Sequence, residues 1–319
     1  MDGGPLLLQP ELKVKLWGGR RLERAGVALP DTQPYGEAWL LHDSARVAQG
    51  PLAGCALGDL LPRYGAALAG PEVDPAAGWP LLAKLLDASA WLSVQVHPDD
   101  CWAQRLENEP RGKTEAWYVV AAEPGARLVH GLRPGCTRAQ LAAALRDGTL
   151  EAWLPAVPVQ AGDALLLRAG TVHALGPGLL VYEIQQTSDR TYRLYDWGRR
   201  GLDGAPRPLH VEKGLQVARL DAPAPLRHLA GQRAQVMEVA RCEHFVCELL
   251  QLNELAGRWL TRDTGGRRFQ ALTCVAGAAL LESGPRQVRL RAGQTALVPA
   301  CSGPWRLGGT AQLLLARQP

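Results

Sequence analysis

Gln95 and His97 stand two residues apart in the β-rich run Leu92-Ser93-Val94-Gln95-Val96-His97-Pro98. On a strand, residues at that spacing share a face. An amide and an imidazole therefore project together, while Val94 and Val96 turn the other way, into a core. Pro98 biases the backbone of His97 to an extended conformation. Glu115 opens a second β-rich run, Glu115-Ala116-Trp117-Tyr118-Val119-Val120, and His173 follows a third, from Gly162 to Val172. If these runs pair in one barrel, Gln95, His97, Glu115 and His173 converge. That is a nitrogen and oxygen set with one carboxylate and no thiolate. It suits Zn²⁺ or a similar divalent ion kept Lewis-acidic, with room for water or substrate.

The elements that must position these residues are short. Apolar runs bounded by Gly and Pro dominate the chain, which predicts a mainly β protein of sandwich or barrel type. Three helices are expected: a weak one over 57–68, interrupted by Pro62; a short one through Leu106, capped by Asp99 or Asp100; and the clearest over 137–148. The last has Thr137 as N-cap, apolar residues at helical spacing and Gly148 as a stop. It reads as a helical insertion, around 137–154, between barrel strands. The Pro-, Gly- and charge-rich stretch 203–227 reads as a linker, and β-type runs resume from Val236.

A weak internal repeat is present. Gly162 is followed eleven residues later by His173, and Gly293 at the same spacing by Pro304. A glycine turn that enters a strand and delivers a histidine resembles the second motif of the cupin barrel, and the second copy has lost the histidine. The expectation is two cupin-like (jelly-roll) barrels: residues 1–222 with the metal, and 223–319 without ligands.

Composition narrows the function classes. The net charge of +4 is small for 319 residues and the basic residues are scattered, so no nucleic-acid footprint is indicated. No apolar run approaches the roughly 18 residues of a membrane span, and the first residues lack a basic-then-apolar leader. The seven cysteines match no zinc or redox spacing. These features predict a cytoplasmic protein with inert thiols, monomeric or weakly homo-oligomeric.

Longer motifs carry a resemblance. They are Lys15-Leu16-Trp17-Gly18-Gly19-Arg20-Arg21-Leu22, Tyr35-Gly36-Glu37-Ala38-Trp39, Pro80 to Ala88, Ser93 to Asp100, Gly112-Lys113-Thr114-Glu115, Ala169 to Gly176, and Glu183 to Trp197. In order and content the chain resembles the type I mannose-6-phosphate isomerases (phosphomannose isomerases) of the short bacterial form, in the cupin superfamily. The resemblance implies one divalent metal, Zn²⁺ by preference, on Gln95, His97, Glu115 and His173. It implies Lys113 and Arg193 as basic residues of the active site, holding a phosphosugar, with Ser93 near the substrate. Glu183, on the run after His173, is either a base or a partner of a ligand. The other histidines, His42, His130, His210, His228 and His244, read as structural or surface residues. Two departures stand out: Arg168 where the family usually has Pro, and Leu40-Leu41-His42-Asp43-Ser44 after Trp39.

The reaction so implied is reversible isomerisation of mannose 6-phosphate and fructose 6-phosphate through an enediol. The proton-abstracting group stays open among Glu183, Lys113 and a water on the metal. Two other classes fit parts of the pattern. A non-catalytic sugar sensor would keep the ligands without turnover. A cupin oxygenase would use His97, His173 and Glu115 as a two-histidine, one-carboxylate triad.

Overall fold

The computed structural model describes residues 1–253 and 259–319. Among these residues strands dominate, in three antiparallel sheets of nine, seven and five strands. The seven-stranded sheet is the middle layer. Its strands Leu81–Ala88, Leu179–Gln186 and Glu115–Ala122 lie side by side and are covered on both faces. On one face Ala83, Leu85, Ala116, Tyr118 and Ile184 pack with Leu249, Ala271 and Leu314 of the nine-stranded sheet. On the other, Leu86, Trp117, Val119 and Val181 pack with Leu128 and Leu175 of the five-stranded sheet. Two covered faces explain why these runs are apolar without alternation.

The outer face of the five-stranded sheet is covered by helices. Val94, Val96, Val129, Ala174 and Leu194 pack there with Leu141 and Val217. Leu141 belongs to the helix Arg138–Asp147, where Thr137 and Gln140 form a reciprocal capping box and Gly148 (φ +71°) ends the helix in the left-handed region. Asp99 caps the helix Asp100–Glu107 by accepting from Trp102 N at 2.8 Å. The region 57–68 forms two short helices, Leu57–Tyr64 and Ala66–Ala69, parted at Gly65.

The stretch 203–227 contains a helix, Val211–Val217, where composition suggested only a linker. Gly214 is the reason it packs. A Cβ there would lie 2.4 Å from Leu194 Cδ2, so glycine lets the helix seat on the strand Tyr192–Tyr195 without displacing that side chain.

Both copies of the glycine repeat follow the same path. Gly162 (φ +88°) turns into the strand Asp163–Leu167, and His173 opens His173–Leu175. Gly293 (φ +83°) turns into Thr295–Val298, and Pro304 opens Pro304–Arg317. Strands also cross between the halves. Leu6–Gln9 pairs with Thr295–Val298, and Arg227–His228 pairs with Asp163–Leu167. None of the seven cysteines is in a disulfide; Cys101 and Cys301 are exposed.

Candidate active site

Across the five-stranded sheet Arg193 is register partner to Gln95, Gln95 to His173, and His173 to His130. Partners in an antiparallel pair share a face, so four polar side chains form one row. Glu115 meets this row from the first residue of Glu115–Ala122 in the facing sheet. Its Oε1 is 3.0 Å from His173 Nε2 and its Oε2 is 3.5 Å from His97 Nε2. One ligand atom from each of His97, Glu115 and His173 lies within 4.8 Å of the others, and all three residues are buried.

The main chain orients both imidazoles. His97 Nδ1 lies 3.0 Å from Arg190 O, and His173 Nδ1 lies 2.9 Å from Thr171 O. A carbonyl can only accept, so each Nδ1 carries its proton and each Nε2 turns a lone pair toward Glu115. Gln95 Nε2 reaches His173 Nε2 at 3.1 Å. Lys113 precedes the strand, yet its Nζ enters the cluster, 2.9 Å from Glu115 Oε2 and 3.1 Å from His97 Nε2. The ammonium is within ion-pair range of Oε2, but neither oxygen of Glu115 has a hydrogen bond of good geometry. A buried carboxylate with open lone pairs between two oriented imidazoles fits a divalent cation.

The cluster opens to a cleft of about 350 Å³ whose lining includes Ser93, Gln95, Lys113, Glu183 and Arg193. A larger cavity of about 880 Å³ lies between Gln232, Gln251 and Gln312. It contains none of the cluster residues, so the smaller cleft is the one with chemistry. Lys84 and Glu183 are register partners in the middle sheet, 3.1 Å apart, and Trp117 Nε1 donates to Glu183 Oε2 at 2.8 Å. The Trp117 ring meets His173 edge-on at 5.4 Å, tying the two sheets together at the site.

The family description "Phosphomannose isomerase type I, catalytic domain" matches residues 6–117. The mannose-6-phosphate isomerase of Streptococcus mutans is 31% identical over 317 residues, 97% of this chain and 97% of that protein. The mannose-6-phosphate isomerase ManA of Bacillus subtilis is 32% identical over 325 residues, 99% of each chain. The chain belongs to the type I phosphomannose isomerase family. A crystal structure of the mannose 6-phosphate isomerase from Bacillus subtilis superposes with a TM-score of 0.88 at 29% identity, covering 98% of this chain and 99% of that one.

In this chain the two departures leave the cluster intact. Arg168 extends outward to Glu243, 3.3 Å away, and the turn after it is held from behind by a bond from Gly170 N to His97 O at 2.8 Å. After Trp39, the His42 ring packs against the indole edge at 4.8 Å.

Electrostatics separates the groups of the site. Burial, reinforced by the Lys113 ammonium, holds His97 well below its ordinary value, so the ring is neutral and free to donate a lone pair. Burial pushes the Glu115 carboxyl upward, but its neighbours, the Lys113 ammonium first, outweigh it and hold the group well below the usual carboxylate range. Burial opposes the charge on Lys84 too, yet Glu183 and Glu37 reverse the effect and raise it.

Lys15, Glu37, Lys84 and Arg207 also line the cleft, and sequence reasoning gave none of them a role. Lys84 had a signal. A lysine in the mostly apolar run Leu81–Ala88 is buried only where it has a partner.

Proposed function

We propose that the protein interconverts mannose 6-phosphate and fructose 6-phosphate, using one divalent ion, Zn²⁺ by preference, held by His97, Glu115, His173 and Gln95. The observation that carries this reading is the buried Glu115 carboxylate, bare of hydrogen bonds and faced by two imidazole Nε2 lone pairs, at the base of a cationic cleft. Turning the Gln95 amide over puts its oxygen where its nitrogen now meets His173, which completes an N₂O₂ set. When bound, such an ion supplies Lewis acidity toward the substrate carbonyl and hydroxyl oxygens.

The chain's own residues do the rest. Arg193 and Lys113 bind substrate oxygens, with Arg193 at the phosphate end, and Ser93 orients the sugar from the same wall. Glu183 takes the proton from C2 of the open-chain aldose, leaving an enediolate with its charge on O1. The O2 proton passes to O1, the same carboxyl returns its proton to C1, and the C2–O bond becomes the ketose carbonyl. Lys84, 3.1 Å from Glu183, holds that carboxylate in place beside the cleft. Every residue lining the cleft falls between Lys15 and Arg207, which supports a catalytic unit over 1–222.

An oxygenase would share His97, His173 and Glu115, but the lysines and arginines around the cleft favour an anionic substrate. A coupled assay of the purified protein with mannose 6-phosphate, with and without chelator, tests the reading. Chelator-sensitive formation of fructose 6-phosphate is expected; no turnover in metal-replete protein refutes it. Glu183→Gln should abolish exchange of the C2 proton with solvent while metal stays bound.

A further inference from the structure

The face of the five-stranded sheet turned away from the catalytic cleft carries a second pocket, of about 390 Å³. Its lining joins Arg127 and Val129 of the sheet to Glu151 of the short helix Leu150–Trp153 and to Leu154 just after it. Two half-buried indoles, Trp91 and Trp197, complete it. None of the residues lining this pocket lines the cleft. The indoles meet at 5.1 Å between ring centroids with 33° between their planes, and the Tyr195 ring meets Trp197 edge-on at 5.2 Å. The result is one continuous aromatic surface beside two charged groups.

Trp197 is held there against its backbone preference. Its φ is +58°, and Gly198 follows at +65°. Arg199 N donates to Asp196 O at 3.0 Å and closes a turn whose two central residues are both left-handed. Asn-Gly is the pair that suits such a turn, and a bulky aromatic in the first place is an outlier. Asn108 is the other non-glycine residue with positive φ among the described residues, and it ends a helix, where asparagine is at home. A bond from Trp197 Nε1 to Leu92 O at 2.7 Å offsets part of the strain and fixes the ring. The polar groups are one of each sign. Glu151 Oε1 accepts from the Tyr195 hydroxyl at 2.7 Å, which leaves Oε2 uncommitted. The exposed Arg127 guanidinium has no hydrogen bond or ion pair among the described residues.

We infer that this pocket is a second ligand site, built for the ring of an unphosphorylated hexose. A pyranose has C–H faces that pack on an indole. The hydroxyls around its rim accept from a guanidinium and donate to a carboxylate. Arg127 and Glu151 cancel in charge, so the pocket offers a phosphate no net attraction. A purely apolar ligand would strip water from both charged groups and give them no partner. The site is independent of the isomerase reading, because it shares no residue with the cleft.

Calorimetric titration of the full chain with D-mannose and D-glucose tests it. A hexose can also enter the catalytic cleft, so variants on the outer face decide. Arg127→Ala and Glu151→Ala should each weaken hexose binding by about 10-fold or more, the range for losing a hydrogen bond to a charged group. Turnover of mannose 6-phosphate should stay at the wild-type level in both. Trp197→Asn gives the turn the residue it prefers and removes the indole, so the folded variant should lose the hexose. An indole that only braces the sheet would lower Tm when replaced and leave hexose binding unchanged. Mannobiose separates two sources of such a ring: it binds as well as mannose if the pocket takes the end of a glycan, and is refused if the pocket takes the free sugar. Absence of hexose binding in the wild type, or binding that is the same in all three variants, would overturn the site. A nucleobase or free tryptophan bound in preference to the hexose would overturn it too. Turnover reports on the cleft and titration on the pocket, so each reading can fail alone.

Discussion

Lys113 Nζ stands 3.1 Å from His97 Nε2, the nitrogen whose lone pair a metal would use. A cation therefore already occupies the approach to a ligand atom. An ammonium there competes with a metal for His97 and Glu115, and it must give way when the ion binds.

Lys113→Met is accordingly expected to retain metal at least as tightly as the wild type, because the ligands stay and the competing charge goes. Turnover should fall by about 10²-fold or more, the range for removing a catalytic acid, base or oxyanion donor. Metal content by elemental analysis and kcat on one preparation read both effects. Loss of metal together with activity would make Lys113 a structural support of the cluster.

Replacing a ligand should do the opposite. His97→Ala, Glu115→Ala and His173→Ala are each expected to lose bound metal and activity, with the far-ultraviolet circular dichroism of the β fold retained. The ligand side chains face the cleft while Val94, Val96 and Ala116 carry the packing. A variant that turned over normally without metal would show that the cluster is not the catalytic centre.

Arg193→Ala should lower kcat/KM by about 10²- to 10³-fold, as loss of a preorganised donor does, with bound metal near one ion per chain. The Arg193 guanidinium hydrogen-bonds Pro208 O and none of the ligand side chains. A lower Tm with unchanged kcat/KM would assign it to the fold instead.

Acid should destabilise the metal-free protein in two stages. Burial holds His97 well below 6.5 and His130 at about 4, so between those values and 6.5 the unfolded chain binds protons that the folded chain does not. Stability then falls as pH drops through 6.5. Glu115, depressed in the fold, adds its loss as pH falls below its ordinary 4.5. Tm measured in chelator from pH 7.5 to 4 should decline over this range, and His97→Gln should make the upper part of the decline shallower. A flat profile in the wild type would mean that these groups titrate normally.

Local rules made part of the site legible. Period-two alternation put Gln95 opposite Val94 and Val96, and Thr137 as N-cap with Gly148 as stop announced their helix. What local rules do not carry is partnership between distant strands. The row from Arg193 through Gln95 and His173 to His130 comes from four strands and appears only once their register is known. The pairing of Leu6–Gln9 with a strand almost 300 residues later leaves no trace in either segment. The Val211–Val217 helix hid in a Pro- and Gly-rich stretch because Gly214, a helix-weakening residue, is there for contact with Leu194. Arg207 looked like one more surface charge because its partner Asp196 belongs to a different motif.

The middle sheet has no idle side. Glu115 and Trp117 face the five-stranded sheet and meet His173, while Ala116 and Tyr118 look into the apolar layer shared with the nine-stranded sheet. Sliding this strand by one position would present Ala116 and Tyr118 to the histidines and drive a carboxylate into hydrocarbon. An insertion or deletion of a single residue between Gly112 and Glu115 would therefore invert the whole wall. Substitutions are tolerated or not one side chain at a time, but the spacing in this segment admits no small error, and chain length there is under tighter constraint than chemical identity.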